Sequence, residues 1–104
     1  MYHITQYTKD RARKLGFQVQ PSIHAGKKLD VYRDGHFLHS VGAVGYGDYG
    51  TYLTEKGKAY ADERRRLYHL RHTKKGLGER LAMQLLWWYH VIEIYDKLSG
   101  LILV

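Results

Sequence analysis

Cysteine is missing from all 104 residues, which excludes disulfides, thiolate metal sites and a cysteine nucleophile together and suits a reducing compartment. No apolar run approaches the roughly 18 residues needed to cross a bilayer, so no transmembrane span is expected. The opening MYHITQYTKD lacks the apolar centre of a secretory signal, so secretion is not expected either. Catalytic signatures are equally scarce. There is no P-loop, no H-E-x-x-H helix and no Ser-His-Asp pattern. The ten acidic residues form no cluster that would serve a metal-dependent nuclease. A non-enzymatic protein without a cofactor is the expectation.

Two patterns that imitate ligand sites also fail on physical grounds. Gly45, Gly47 and Gly50 spell a literal G-x-G-x-x-G, but the strand before them belongs to a tight antiparallel hairpin. A dinucleotide-binding unit needs parallel strands joined by a helical crossover. A flexible turn with Tyr46 and Tyr49 anchored in the core is expected instead. Among seven histidines, His69 and His72 share a helix face but lack a third ligand. His36 and His39 sit three apart on a strand and point to opposite faces. No metal site is expected.

What the chain does have is apolar residues in an ordinary 44% share, enough for one core and one domain over 1–104. It also has positive charge. Seventeen basic residues against ten acidic ones give +7, and polyanions are the natural partners of such a balance. Ten tyrosines add flat surfaces suited to stacking as well as to core packing.

Along the chain, Thr8 is a candidate N-cap for a short helix over Lys9 to Leu15, stopped by Gly16. A short alternating stretch then runs to Pro21, the only proline. In LDVYRDGHFLHSV, Asp34 and Gly35 form the two-residue turn favoured by hairpins of type I′. Counting outward pairs Arg33 with His36, Tyr32 with Phe37, Val31 with Leu38 and Asp30 with His39, with both faces partly covered. A glycine-rich loop leads into a helix over about 51–72, with Gly57 as a possible kink. After Gly76 and Gly78 a second helical stretch extends to Leu98. The expected fold class is α+β: a short N-terminal helix, an antiparallel three-stranded sheet centred on the hairpin, a long basic helix and an apolar C-terminal helix.

The basic helix carries the charge. Residues 56–80 hold nine of the basic and three of the acidic residues, a local balance of +6. With about 100° per residue and Tyr60 as origin, Leu67, Leu53, Tyr68 and Leu70 form an apolar stripe. Arg65 and Arg66 fall on a solvent face shared with Asp62, whereas Arg64 and Arg71 lie inside the stripe. Each of these two needs an anion: a carboxylate such as Asp30 or Asp48, or a phosphate from outside. In the second case Arg64, Arg65, Arg66, Arg71, Lys74 and Lys75 contact a nucleic-acid backbone, DNA or RNA, with Tyr68 stacking on bases.

The C-terminal stretch is apolar nearly all round. A surface for self-association or docking in a larger assembly is expected through Trp87, Trp88, Ile92 and Tyr95, with 88–104 as an interaction extension.

Several motifs occur in a fixed order: Lys-Lys-hydrophobic-Asp-Val at Lys27 to Val31, Ser-hydrophobic-Gly at Ser40 to Gly42, and Asp-Tyr-x-Thr-Tyr at Asp48 to Tyr52. Tyr-Ala-x-x-Arg-Arg-x-Leu-Tyr-x-x-Arg-His follows at Tyr60 to His72, and an LGxxVxPS-like element at Leu15 to Ser22 precedes them all. In these motifs the chain resembles a family of small uncharacterised basic proteins encoded by large DNA viruses of algae and protists. The resemblance spans about residues 7–87 and implies a viral setting, in a virion or in the host cytoplasm or nucleus, without implying a chemistry. It departs at the C-terminus, where Leu85 to Trp87 match the family's usual end and this chain continues to Val104. The expected function is largely sequence-independent nucleic-acid binding. The alternative is a minor structural protein that mediates capsid or other protein assembly.

Overall fold

The computed structural model describes residues 1–73 and 76–88. The fold is α+β, an N-terminal helix and a three-stranded antiparallel sheet followed by three helices. Helix α1 covers Gln6–Leu15. Its cap is Thr5, whose side chain accepts from the Thr8 amide, and Gly16 closes the helix in the left-handed region. Thr8, expected as the cap, is instead fully buried and donates its hydroxyl to the Leu85 carbonyl at 2.8 Å.

Strands β1 (Gln18–Pro21), β2 (Lys27–Arg33) and β3 (His36–Ala43) lie in sheet order β1-β2-β3. At the hairpin tip Asp34 and Gly35 both have positive φ, 52° and 78°, the requirement of a type I′ turn. Arg33 pairs with His36 and Tyr32 with Phe37, and then the register slips. Val31 faces His39 and Asp30 faces Ser40, because an irregularity between Val31 and Tyr32 leaves Leu38 as the extra residue. The slip brings Ser40 opposite Asp30, and Leu29 opposite Val41 in the core. The face carrying Tyr32 and Phe37 is more open than expected, with Phe37 exposed.

The expected long helix is two helices, α2 (Tyr49–Lys56) and α3 (Lys58–Arg71), broken at Gly57. Gly57 has φ 91° and ψ 170°, a region that is in effect closed to residues with a side chain. Asp48 caps α2 by accepting from the Thr51 amide at 3.0 Å. The third glycine of the G-x-G-x-x-G string serves packing: a Cβ on Gly50 would lie 2.2 Å from the Thr5 hydroxyl oxygen. Tyr49 is fully buried as expected, but Tyr46 is exposed at 77%, so only one of the two tyrosines is anchored.

A helical wheel centred on Tyr60 misplaces the buried face of α3. Ala61 and Arg65 are the buried residues of α3, while Tyr60 and Leu70 are exposed. Helix α4 covers Leu77–Leu86 and buries Leu81, Leu85 and Leu86, packing against β3 and α1. Its last carbonyls lack intrahelical donors, as at every helix end. Neighbouring elements supply them: Arg11 donates to Gln84 and Thr8 to Leu85, and just past the helix Tyr7 and Arg65 donate to the Trp88 carbonyl. The expected continuation of this helix to Leu98, including Ile92 and Tyr95, lies outside the described residues, as do Lys74 and Lys75.

Candidate nucleic-acid interface

Charge in this fold is treated differently on two sides of the sheet's Lys28. On one side stands a closed network. Lys28 is 4% exposed and donates to the Asp48 carboxylate at 2.9 Å, and the Tyr2 hydroxyl reaches the same oxygen at 2.5 Å. A buried ion pair of this kind holds only when both ions are answered, and both are. Burial and the Asp48 charge together push the Tyr2 hydroxyl upward.

Asp30, also fully buried, accepts from the Ser22 and Ser40 hydroxyls, each at 2.6 Å, and from the Ile23 amide at 3.2 Å. His24 Nδ1 stands 3.0 Å from the same carboxylate. Burial alone would raise this carboxyl, but the hydrogen bonds from Ser22, Ser40, His24 and Ile23 outweigh it and hold it well below the usual carboxylate range. Sequence reading missed this Ser-His-Asp cluster, since its members are joined by the β1–β2 loop and the register slip. It is not a nucleophilic relay. The Ser40 hydroxyl and Asp30 meet the same ring nitrogen, at 2.9 and 3.0 Å, whereas a relay needs one on each nitrogen.

Neither Asp30 nor Asp48 is therefore left for the arginines of α3, and those arginines fall into three environments. Arg65, expected on the solvent face, is 2% exposed and corrects that expectation. Its guanidinium lies 4.1 Å above the Tyr49 ring, and it donates to Asp62 at 3.1 Å and to the Trp88 carbonyl at 3.2 Å. Guanidinium over an aromatic face with a carboxylate at its edge is a stable way to bury a cation. For Asp62, burial raises the carboxyl, but Lys58, Tyr49 and Arg65 together lower it. Arg66 is exposed and forked onto Glu63 at 2.6 and 2.9 Å.

Arg64 and Arg71 form the third group. They line a cavity of about 420 Å³ together with Tyr46, Tyr52, Tyr68 and His72, and Trp87 and Lys28 close it. No Asp or Glu lines it among the described residues. The Arg64 guanidinium lies 5.6 Å from the Tyr52 ring centre. Its Nε is buried and meets no hydrogen-bond partner among the described residues. Arg71 is exposed, and its Nε lies 3.4 Å from the Leu67 carbonyl.

One cavity wall is a three-ring stack. Tyr68 lies between His72, at 4.0 Å and 15°, and Trp87, at 4.6 Å and 8°. Both faces of Tyr68 are thereby occupied, so its place is in the wall and a base would have to stack elsewhere. Burial first and the Glu79 charge second push its hydroxyl upward.

Trp87, expected on a partner-facing surface, is 8% exposed and belongs to the chain's own core, which corrects that expectation. Trp88 is half-buried, with the Arg11 guanidinium 5.2 Å over its ring. The structure thus brings together Arg64, Arg71 and Tyr68 of the residues named from sequence and separates Arg65 and Arg66 from them. Tyr46, Tyr52 and His72 were missed. Of these, His72 carried a signal, standing four residues after Tyr68 at the helical spacing that lets rings meet. Compared with known protein families, curated proteins and solved structures, the chain matches none.

Proposed function

We propose that this protein binds nucleic acid, without catalysing a reaction, through backbone contacts largely independent of sequence, in a viral setting such as a virion or a packaged genome. The observation that carries the reading is the cavity. Arg64 and Arg71 line it without an answering carboxylate among the described residues, in the segment that holds +6 of the net +7 charge. An internal salt bridge would have made these arginines structural, and the two candidate acids are engaged by Lys28, Tyr2, Ser22 and Ser40. Phosphate is the anion that a planar guanidinium fork receives best from outside.

The test is a salt titration of a fluorescently labelled oligonucleotide. Binding should weaken steeply with salt, and Arg64→Ala or Arg71→Ala should each lower the slope by about one unit, as expected for one lost phosphate contact. Arg66→Ala, whose guanidinium is held by Glu63, should change it less. No measurable binding at low salt would overturn the reading.

A further inference from the structure

We infer that the cavity between α3, α4 and the β3–α2 loop is a seat for one unpaired nucleotide, a planar base carrying a phosphate; this rests on the nucleic-acid reading above and narrows it to single strands. Three observations lead there. The first is size and shape: about 420 Å³ falls in the range of pockets that enclose a small ligand, about 300–1,000 Å³. A duplex presents a convex backbone and paired bases, and neither can enter such a concavity. The second is charge. Two arginines face the cavity with no carboxylate in its lining among the described residues, and the buried Arg64 Nε has no partner among them. Lys28 also lines it, but its charge is neutralised by Asp48 at 2.9 Å.

The third is the aromatic content, which inorganic phosphate alone would not use. Tyr68 and Trp87 are committed to each other, so they give the wall rigidity. The faces left for a base are those of Tyr46, 77% exposed on the loop at the mouth, and the side of His72 turned away from Tyr68. His72 lines the cavity, and its ring Nδ1 stands 3.1 Å from the Tyr68 carbonyl. In this arrangement the base lies between Tyr46 and His72, while Arg64 and Arg71 take the phosphate. Stacking of this kind tolerates any base, which fits sequence-independent binding.

The discriminating experiment uses the full chain and three probes at one ionic strength: a labelled ten-nucleotide dT strand, a ten-base-pair duplex, and thymidine monophosphate, titrated directly by calorimetry and also used as competitor, with inorganic phosphate as the control in both formats. The single strand should bind tighter than the duplex. Tyr46→Ala should weaken the strand by about fivefold or more and leave the duplex unchanged, and thymidine monophosphate should compete where inorganic phosphate does not. Tyr46 is on the surface, so its replacement leaves the fold intact, and a matching thermal melt verifies this.

Salt-dependent binding that is equal for strand and duplex and indifferent to Tyr46→Ala would overturn the nucleotide seat while leaving nucleic-acid binding standing. Binding of thymidine monophosphate, sensitive to Tyr46→Ala but without binding of either oligonucleotide, would support the seat and assign it to a free nucleotide, removing the nucleic-acid reading. Absence of binding by all three would overturn both.

Discussion

In the network beside the sheet, each buried charge is met: Lys28 by Asp48, and Asp30 by two hydroxyls, an amide and an imidazole. Across the cavity, Arg64 and Arg71 face space and aromatic carbon, and no carboxylate approaches them among the described residues. Both regions are built from ions next to apolar residues, and both look alike in a list of basic and acidic positions. The difference lies in whether the counter-charge is folded into the chain. A satisfied ion rigidifies the fold, and an unsatisfied one on a cavity wall holds a place for something else.

The sharpest way to break this comparison is to remove an answering group. Asp48→Ala leaves Lys28 buried without a counter-ion and uncaps α2, and urea unfolding should show a loss of roughly 3–5 kcal/mol. The double change Lys28→Met with Asp48→Asn keeps the cap and removes both charges, and should recover most of it.

Next in size is Arg65→Ala, expected to cost about 2–4 kcal/mol because it strips Asp62 and the Tyr49 face of a buried cation. Arg66→Ala, one residue along and exposed, should stay within about 0.5 kcal/mol. Equal effects at the two positions would place Arg65 outside the core.

Gly57→Ala forces a side chain into a glycine-only conformation and should cost about 1–3 kcal/mol by thermal unfolding.

At the small end, Arg64→Met should change stability by less than about 1 kcal/mol, or raise it slightly, since a buried Nε without a partner among the described residues disappears with it. A loss as large as that of Asp48→Ala would mean that Arg64 is structural too, and the contrast between the two regions would collapse.

Acid sharpens the same contrast. The Asp30 carboxyl is held below its ordinary value, and an unfolded aspartate titrates near about 3.9. The contribution of Asp30 is therefore complete above that value and is lost as pH falls through it toward the folded value. Urea midpoints measured between about pH 6 and pH 3 should fall further for the native chain than for Asp30→Asn. No carboxylate among the described residues plays the corresponding part in the cavity lining, so Arg64→Met should leave the shape of that acid profile unchanged.

How far the sequence spoke depended on whether a feature was local. The hairpin tip, the Gly16 stop and the order of elements were legible because turn and cap residues act within a few positions. The register beyond Tyr32 was not, because a single extra residue at Leu38 can be absorbed only once the third strand and the helices fix which face is buried. The environment of Arg65 was misread for a related reason. A stripe centred on Tyr60 takes in Leu70, and both are exposed, whereas the buried side of α3 is marked by the small Ala61, about 40° from Arg65 around the helix. Half of the candidate site, Arg64, Arg71 and Tyr68, came from helical spacing. Of the other half, His72 stands at helical spacing from Tyr68 and was passed over, whereas Tyr46 and Tyr52 depend on a loop and a second helix meeting α3, which no spacing within one element encodes.

The way α4 ends has a mechanical consequence. Its carbonyls and that of Trp88 are gripped by Arg11, Thr8 and Tyr7 from α1 and by Arg65 from α3, while the ring of Trp87 forms part of the cavity wall. The wall is thus bolted to the opposite end of the chain, and a guest pressing on the indole would be felt at the N-terminus. Amide exchange in α1, far from the cavity in sequence, would then serve as a remote test of the proposed seat.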